Sequence, residues 1–157
     1  MIPKVGRGRS CAMRPHVLPS RKLGERFKME GQRARILVID DEERMRKVMH
    51  RALGPEYDVV VTSGGQGGLD RIVAGERFDL VLCDLMLPSM SGMVFHERVG
   101  KVAPELVEHI VFTTGGAYTH GAKAFLMRSD IRHIDKPFSL ADLREAVREH
   151  LARTRRI

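Results

Sequence analysis

Acidic side chains close two of the apolar runs in this chain, two threonines close another, and a lysine follows a fourth. Asp40 and Asp41 end Ile36-Leu37-Val38-Ile39, and Asp84 ends Leu80-Val81-Leu82-Cys83. Thr113 and Thr114 end Ile110-Val111-Phe112, and Lys136 comes shortly after the run from Ile131 to Ile134. If the first and third strands are neighbours, carboxylates 43 and 44 residues apart in sequence meet in one crevice. Like charges that close repel, and the pKa of at least one rises. A divalent cation relieves the conflict, and ligands that are all oxygen favour Mg2+. Lys136 adds a cation and a hydrogen-bond donor at the same rim, a setting that neutralises the charge developing on a transferred phosphoryl group. A carboxylate can itself be the nucleophile, giving an acyl phosphate.

Such residues need a scaffold that brings strand ends together. From Arg35 onward, short β-rich runs alternate with helical patterns, which predicts βα units around a parallel sheet. The first run is continuously apolar, as a strand covered on both faces should be. Met45, Val48, Met49, Ala52 and Leu53 then trace one helix face, stopped by Gly54-Pro55. Tyr57 to Thr62 is a second strand, and Leu69, Ile72 and Val73 mark a second helix ended by Gly75. Phe78 to Asp84 is the third strand, followed by a helix with Phe95, Val99 and Val102 on one face. After the fourth strand, Ala122, Phe125 and Leu126 suggest a fourth helix, and Ile131 to Ile134 a fifth strand. Ser139 to Asp142 fits a capping box opening the last helix, with Leu140, Leu143, Val147 and Leu151 inward. In open α/β sheets, ligands bind at the carboxyl ends of strands where the strand order reverses, and all the polar residues above fall at such ends.

Four segments closely resemble the signatures of response-regulator receiver domains: Val38-Ile-Asp-Asp-Glu42, Cys83-Asp-Leu-Met-Leu-Pro-Ser-Met-Ser-Gly92, Phe112-Thr-Thr-Gly-Gly-Ala117 and Asp135-Lys-Pro-Phe138. The resemblance covers about residues 34–153. It implies a flavodoxin-like (βα)5 doubly wound parallel sheet of strand order 2-1-3-4-5, in a receiver domain over 34–157. It makes Asp84 the phosphoacceptor, and Asp41 and Asp84 direct Mg2+ ligands, with the backbone carbonyl of Met86 as a third and Asp40 acting partly through water. Lys136 would contact the phosphoryl oxygens across a cis Lys136-Pro137 bond. Thr114, the threonine followed by Gly115, would be the switch hydroxyl. His133 takes a place where the family usually has Tyr or Phe, which puts aromatic gating there in doubt. Met86 and Gly116 flank the phosphoryl position without a polar group to align an attacking water, so self-hydrolysis should be slow.

The resemblance implies a protein that catalyses only its own aspartyl phosphorylation and dephosphorylation. Its donor would be a histidine kinase or histidine phosphotransfer domain, and it would act on an unknown downstream protein, either standing alone or as the receiver of a hybrid histidine kinase. A phosphatase or phosphotransferase with an aspartyl nucleophile is disfavoured, because Met86 cannot supply the acid such enzymes carry two residues beyond the nucleophile.

Several other features have plainer readings. Glu42 and Glu43 complement a helix dipole. The run Ser63-Gly-Gly-Gln-Gly-Gly68 lacks the Lys-Ser/Thr ending of a phosphate loop and reads as a flexible helix entry. The seven histidines show no ligand spacing. Cys83 reads as a small buried strand residue, and two cysteines make no disulfide framework.

The net charge of +7 is confined to one end. Residues 1–34 hold nine Lys or Arg and two Glu, whereas residues 35–157 hold 18 of each sign. The basic segment over 1–33 reads as a disordered extension, and a nucleic-acid-binding arm regulated by the receiver is the alternative. Its composition also resembles an organelle transit peptide, but the reading adopted is cytoplasmic. No apolar run approaches the ~18 residues of a membrane span.

Overall fold

In the computed structural model, the described residues are 31–116 and 119–154. All but the last three residues of the basic extension therefore lie outside them, as does Ala117 of the third signature. Strands β1 (Arg35–Ile39), β2 (Asp58–Thr62), β3 (Leu80–Asp84), β4 (Ile110–Thr114) and β5 (Arg132–Asp135) alternate with helices α1 (Glu43–Leu53), α2 (Gly65–Val73), α3 (Gly92–Val102), α4 (His120–Leu126) and α5 (Leu140–Thr154). All four strand pairings are parallel, in the order β2-β1-β3-β4-β5. This is the flavodoxin-like order that the sequence led us to expect. Among the described residues, no helix is long and apolar enough to cross a membrane.

Strand alternation sorts the core into two layers. Leu37, Ile39, Val81, Cys83, Ile110 and Phe112 face α2, α3 and α4, and pack with Leu69, Ile72, Phe95, Val99 and Ala122. Ile36, Val38, Leu80, Leu82 and Val111 face α1 and α5, and pack with Met49, Ala52, Leu53, Leu143, Val147 and Leu151. β3 and β4 are buried along their whole length, whereas the edge strand β2 is half-buried to exposed and β5 largely exposed. Both layers cover the middle strands, which is why those runs are continuously apolar.

The capping box forms as the sequence suggests: Asp142 N donates to Ser139 Oγ at 3.0 Å, and Ser139 N donates to Asp142 Oδ2 at 3.0 Å. Four residues placed on inward helix faces are instead exposed, namely Val48, Val73, Val102 and Leu140. Val73, Val102 and Leu140 are terminal residues of their helices, and Val48 lies at the margin of the α1 stripe. The glycine run is the helix entry that the sequence suggests, with Gly64 at the N-cap of α2. It forms the first turns of α2, and a Cβ on Gly68 would come within 2.5 Å of Ile39 Cδ1, so Gly68 lets α2 lie close against β1. The sequence did not reveal the 3-10 helix Pro104–His109 that leads into β4.

That turn buries His109 against His150 of α5, with ring centroids 5.9 Å apart at 74°. Arg153 Nη2 lies 3.2 Å from His150 Nδ1, and His150 Nε2 is buried without a hydrogen-bond partner. Burial, then the nearby charges of His109 and Arg132, lower the His150 pKa from 6.5 to about 4. Below pH 6.5 the unfolded chain therefore binds a proton that the folded chain resists. This contribution to stability is intact above 6.5 and is lost as pH falls toward 4, by up to about 3 kcal/mol. Urea unfolding at stepped pH should show the midpoint falling through this window, and His150→Leu should flatten that part of the profile. Parallel profiles for the two proteins would mean another group is responsible.

Candidate functional site

Each polar residue singled out from the sequence sits at the carboxyl end of a strand or just beyond it. Asp40 follows β1, Asp84 is the last residue of β3, Thr114 is the last of β4, and Lys136 follows β5. Ile39 pairs with Cys83 across β1 and β3, so Asp40 and Asp84 emerge side by side where the strand order reverses. One oxygen of each of Asp40, Asp41 and Asp84 lies within 4.8 Å of the other two. Lys136 Nζ stands between two of these carboxylates, 3.0 Å from Asp40 Oδ2 and 3.1 Å from Asp84 Oδ2. The Lys136-Pro137 bond is cis.

The carboxylates are held in different ways. Asp40 is buried; its Oδ1 accepts from Glu42 N at 2.9 Å and its own N donates to Thr62 O at 3.2 Å. Burial raises the Asp40 pKa, assisted by the charge on Asp84, and outweighs the opposing pull of the Glu42 amide and Lys136. Asp84 Oδ1 accepts from Met86 N at 3.0 Å, which fixes the carboxylate while the Met86 side chain is exposed. Asp41 is exposed. Arg46 of α1 reaches back to this loop, its Nη1 donating to the carbonyls of Asp40 at 2.8 Å and Asp41 at 2.9 Å. For Lys136, burial opposes the charge, but its hydrogen bond to Asp40 and the charges of Asp84 and Asp40 prevail and raise its pKa. The ammonium stays charged.

Three carboxylate oxygens suit a hard cation. Oxygens that lie within 4.8 Å of one another can close on a single Mg2+ at ~2.1 Å each, directly or through a bridging water. Thr113 and Thr114 are both buried, and neither hydroxyl has a hydrogen-bond partner. Thr113 pairs with Asp84 across β3 and β4, while Thr114 O accepts from Lys136 N at 2.6 Å. His133 lies on β5 near the surface, its Nε2 3.9 Å from Asp135 Oδ1. Cys83 is fully buried, and burial, then the Asp84 and Asp40 charges, push its thiol pKa up, which keeps it protonated. Nothing in the sequence singled out Arg46, which stands in a basic cluster with Arg44 and Lys47 in the first turns of α1.

Residues 36–148 match the family described as the response regulator receiver domain. The chain is 31% identical over 118 residues to sporulation initiation phosphotransferase F of Bacillus subtilis, an alignment covering 74% of this chain and 93% of that protein. It is also 31% identical over 119 residues to response regulator ArlR of Staphylococcus aureus, but there the match spans 75% of this chain and only 52% of the relative. Among solved structures, a CheY-like response regulator receiver domain protein from Methanospirillum hungatei superposes with a TM-score of 0.70 at 26% identity, covering 80% of this chain and 98% of that one.

Gly92, eight residues beyond Asp84, begins α3 against the loop that leaves β3. A Cβ there would fall 2.9 Å from Leu85 Cα, 3.0 Å from Asp84 O and 3.0 Å from Phe112 Cε1. Two of those atoms are backbone and cannot turn aside. Gly92→Ala should therefore destabilise the fold by about 1–3 kcal/mol and shift the Asp84 amide resonance. Unchanged urea unfolding and an unshifted Asp84 amide would show that the loop yields without cost.

Proposed function

The chain belongs to the response regulator receiver domain family, and we propose that it is the phosphoacceptor of a two-component phosphorelay, with Asp84 taking the phosphoryl group from a phospho-His donor. The observation that carries this reading is the setting of Asp84: one oxygen on the Met86 amide, the other on Lys136, with Asp40 and Asp41 alongside. A Mg2+ ion held by Asp41, Asp84 and the Met86 carbonyl, with Asp40 partly through water, would neutralise charge on the phosphoryl oxygens during transfer. An Asp84 oxygen bonds to phosphorus as the P–N bond of the donor breaks, and the electron pair of that bond returns to the imidazole nitrogen. Lys136 turns its hydrogen bonds from the carboxylates toward the incoming oxygens. Asp40, already closed off by the Glu42 amide, keeps the ammonium charged and in place.

The acyl phosphate would then bias a binding face formed by α4, β5 and α5. Thr114 suits the role of switch because its hydroxyl has no competing partner and its carbonyl is bonded to Lys136 N, so movement there reaches β5 directly. Two residues earlier on β4, Phe112 packs edge-on against Phe125 of α4 at 5.3 Å, and His96 of α3 packs on both rings, which ties the same strand to α4. His133 occupies the outer position on β5 that the family gives to its gating ring. On this reading the receiver domain spans 34–157 and works as a cytoplasmic signal transducer rather than an enzyme. Its partners are a histidine kinase or histidine phosphotransfer domain and a downstream protein.

Asp84→Asn should fold normally yet take no phosphoryl group from acetyl phosphate or a phospho-His donor, since the amide is a poor nucleophile. Intact-mass spectrometry showing an undiminished adduct on the variant would place the acceptor elsewhere. Thr114→Ala should still take phosphate at Asp84 but show weaker chemical-shift changes across Ile131–Leu151. Because Thr113 is the residue in register with Asp84, Thr113→Ala is the control; full propagation in Thr114→Ala with silence in Thr113→Ala would exchange the two roles.

A further inference from the structure

Resting on the reading of this pocket as a Mg2+-dependent phosphoacceptor site, we propose that Arg46 is a positioning residue that sets the direction of the Asp40 and Asp41 carboxylates from behind. A single guanidinium nitrogen, Nη1, donates to two successive carbonyls, those of Asp40 at 2.8 Å and Asp41 at 2.9 Å. These belong to the two residues whose side chains enter the acidic cluster. The two carbonyls belong to the peptide planes on either side of the Asp41 Cα, which fixes the Asp41 Cα–Cβ direction; the first plane also borders Asp40, whose other plane is held by its N–H on Thr62 O, so both carboxylates are aimed.

The need for such a brace follows from how weakly the loop is otherwise tied. Asp40 has its own anchors in Thr62 O and Glu42 N. Asp41 is exposed, and the Arg46 contact ties its peptide to α1. The residue capping α1, Glu42, makes no side-chain cap bond, so the entry into the helix is not fastened in the usual way. Arg46, one turn into the helix, fastens it from within. An arginine pointing to solvent would have no such bonds, and one acting only through its charge would pair with a carboxylate; this one binds the two main-chain oxygens instead.

Charge and positioning make opposite demands on the ion. A cation beside the cluster repels Mg2+, so removing the charge alone should tighten Mg2+ binding. Losing the brace should weaken it, because partners that orient metal ligands typically contribute 10–100-fold to affinity. The direction of the change therefore separates the two roles.

The experiment is calorimetric titration of Mg2+ into the full chain, with phosphoryl uptake from acetyl phosphate measured across Mg2+ concentration. Arg46→Met should weaken Mg2+ binding about tenfold, near the lower end of that range. Its phosphoryl uptake should fall at low Mg2+ and recover at saturating Mg2+, with little change in thermal midpoint. Mg2+ affinity that is unchanged or tighter in Arg46→Met would overturn the inference. Should Arg46→Met not fold, Arg46→Gln carries the test: it loses the charge and the reach to the two carbonyls while staying polar, so weaker Mg2+ binding supports positioning and affinity that is unchanged or tighter overturns it. Wild-type protein that binds no Mg2+ would remove the underlying reading as well, whereas wild-type binding with an unaltered variant removes this inference alone.

Discussion

Three carboxylates gathered at one end of a sheet, with a single ammonium between two of them, form the constraint around which the rest of the domain is arranged. Unrelieved, that concentration of negative charge would push the strand ends apart. Lys136 reduces it by bridging Asp40 and Asp84, and the two carboxylates in turn stabilise a charge that burial alone would disfavour. The parallel sheet makes the meeting possible. A strand order of 2-1-3-4-5 sets β1 beside β3, and an all-parallel arrangement puts every strand's carboxyl end on the same side. Each partner in the cluster thus depends on a crossover helix being correctly packed on one face or the other.

The packing around the site answers to the same demand for a fixed frame. Gly92 brings the start of α3 down on the loop leaving β3, and Gly68 brings α2 close to β1. Phe112, Phe125 and His96 interlock beneath β4, two residues from Thr114. Arg128 stacks over Phe125 from the end of α4 at 5.5 Å and pairs with Asp130, which closes this aromatic group from outside. The segment leading to Thr114 is therefore packed on one side, while the hydroxyls of Thr113 and Thr114 have no hydrogen-bond partner.

Much of this was legible in the sequence because it depends on local pattern. Continuous apolar runs marked β1, β3 and β4, Ser139 and Asp142 marked the start of α5, and the order of Asp40-Asp41, Asp84, Thr114 and Lys136 marked the site. What escaped depends on where elements end and meet in space. Val73, Val102 and Leu140 keep to the helical period yet are exposed at the ends of their helices, and period alone does not locate where a helix stops being covered. His109 and His150 are 41 residues apart and carry no ligand spacing, so nothing local announced that their rings would share one buried corner. Nothing local marked Arg46, because its partners are carbonyls, which every residue has.

The bridge from Lys136 to Asp40 joins residues 96 positions apart, nearly the full span of the sheet. A chain emerging from the ribosome presents Asp40, Asp41 and Asp84 long before the lysine that balances them, and β5 must add to the sheet edge before that lysine can reach its partners. No contiguous half of the domain contains the pocket. The completed pocket is thus a property of the finished chain alone: a truncated or half-translated product holds Asp84 but not the cation opposite it.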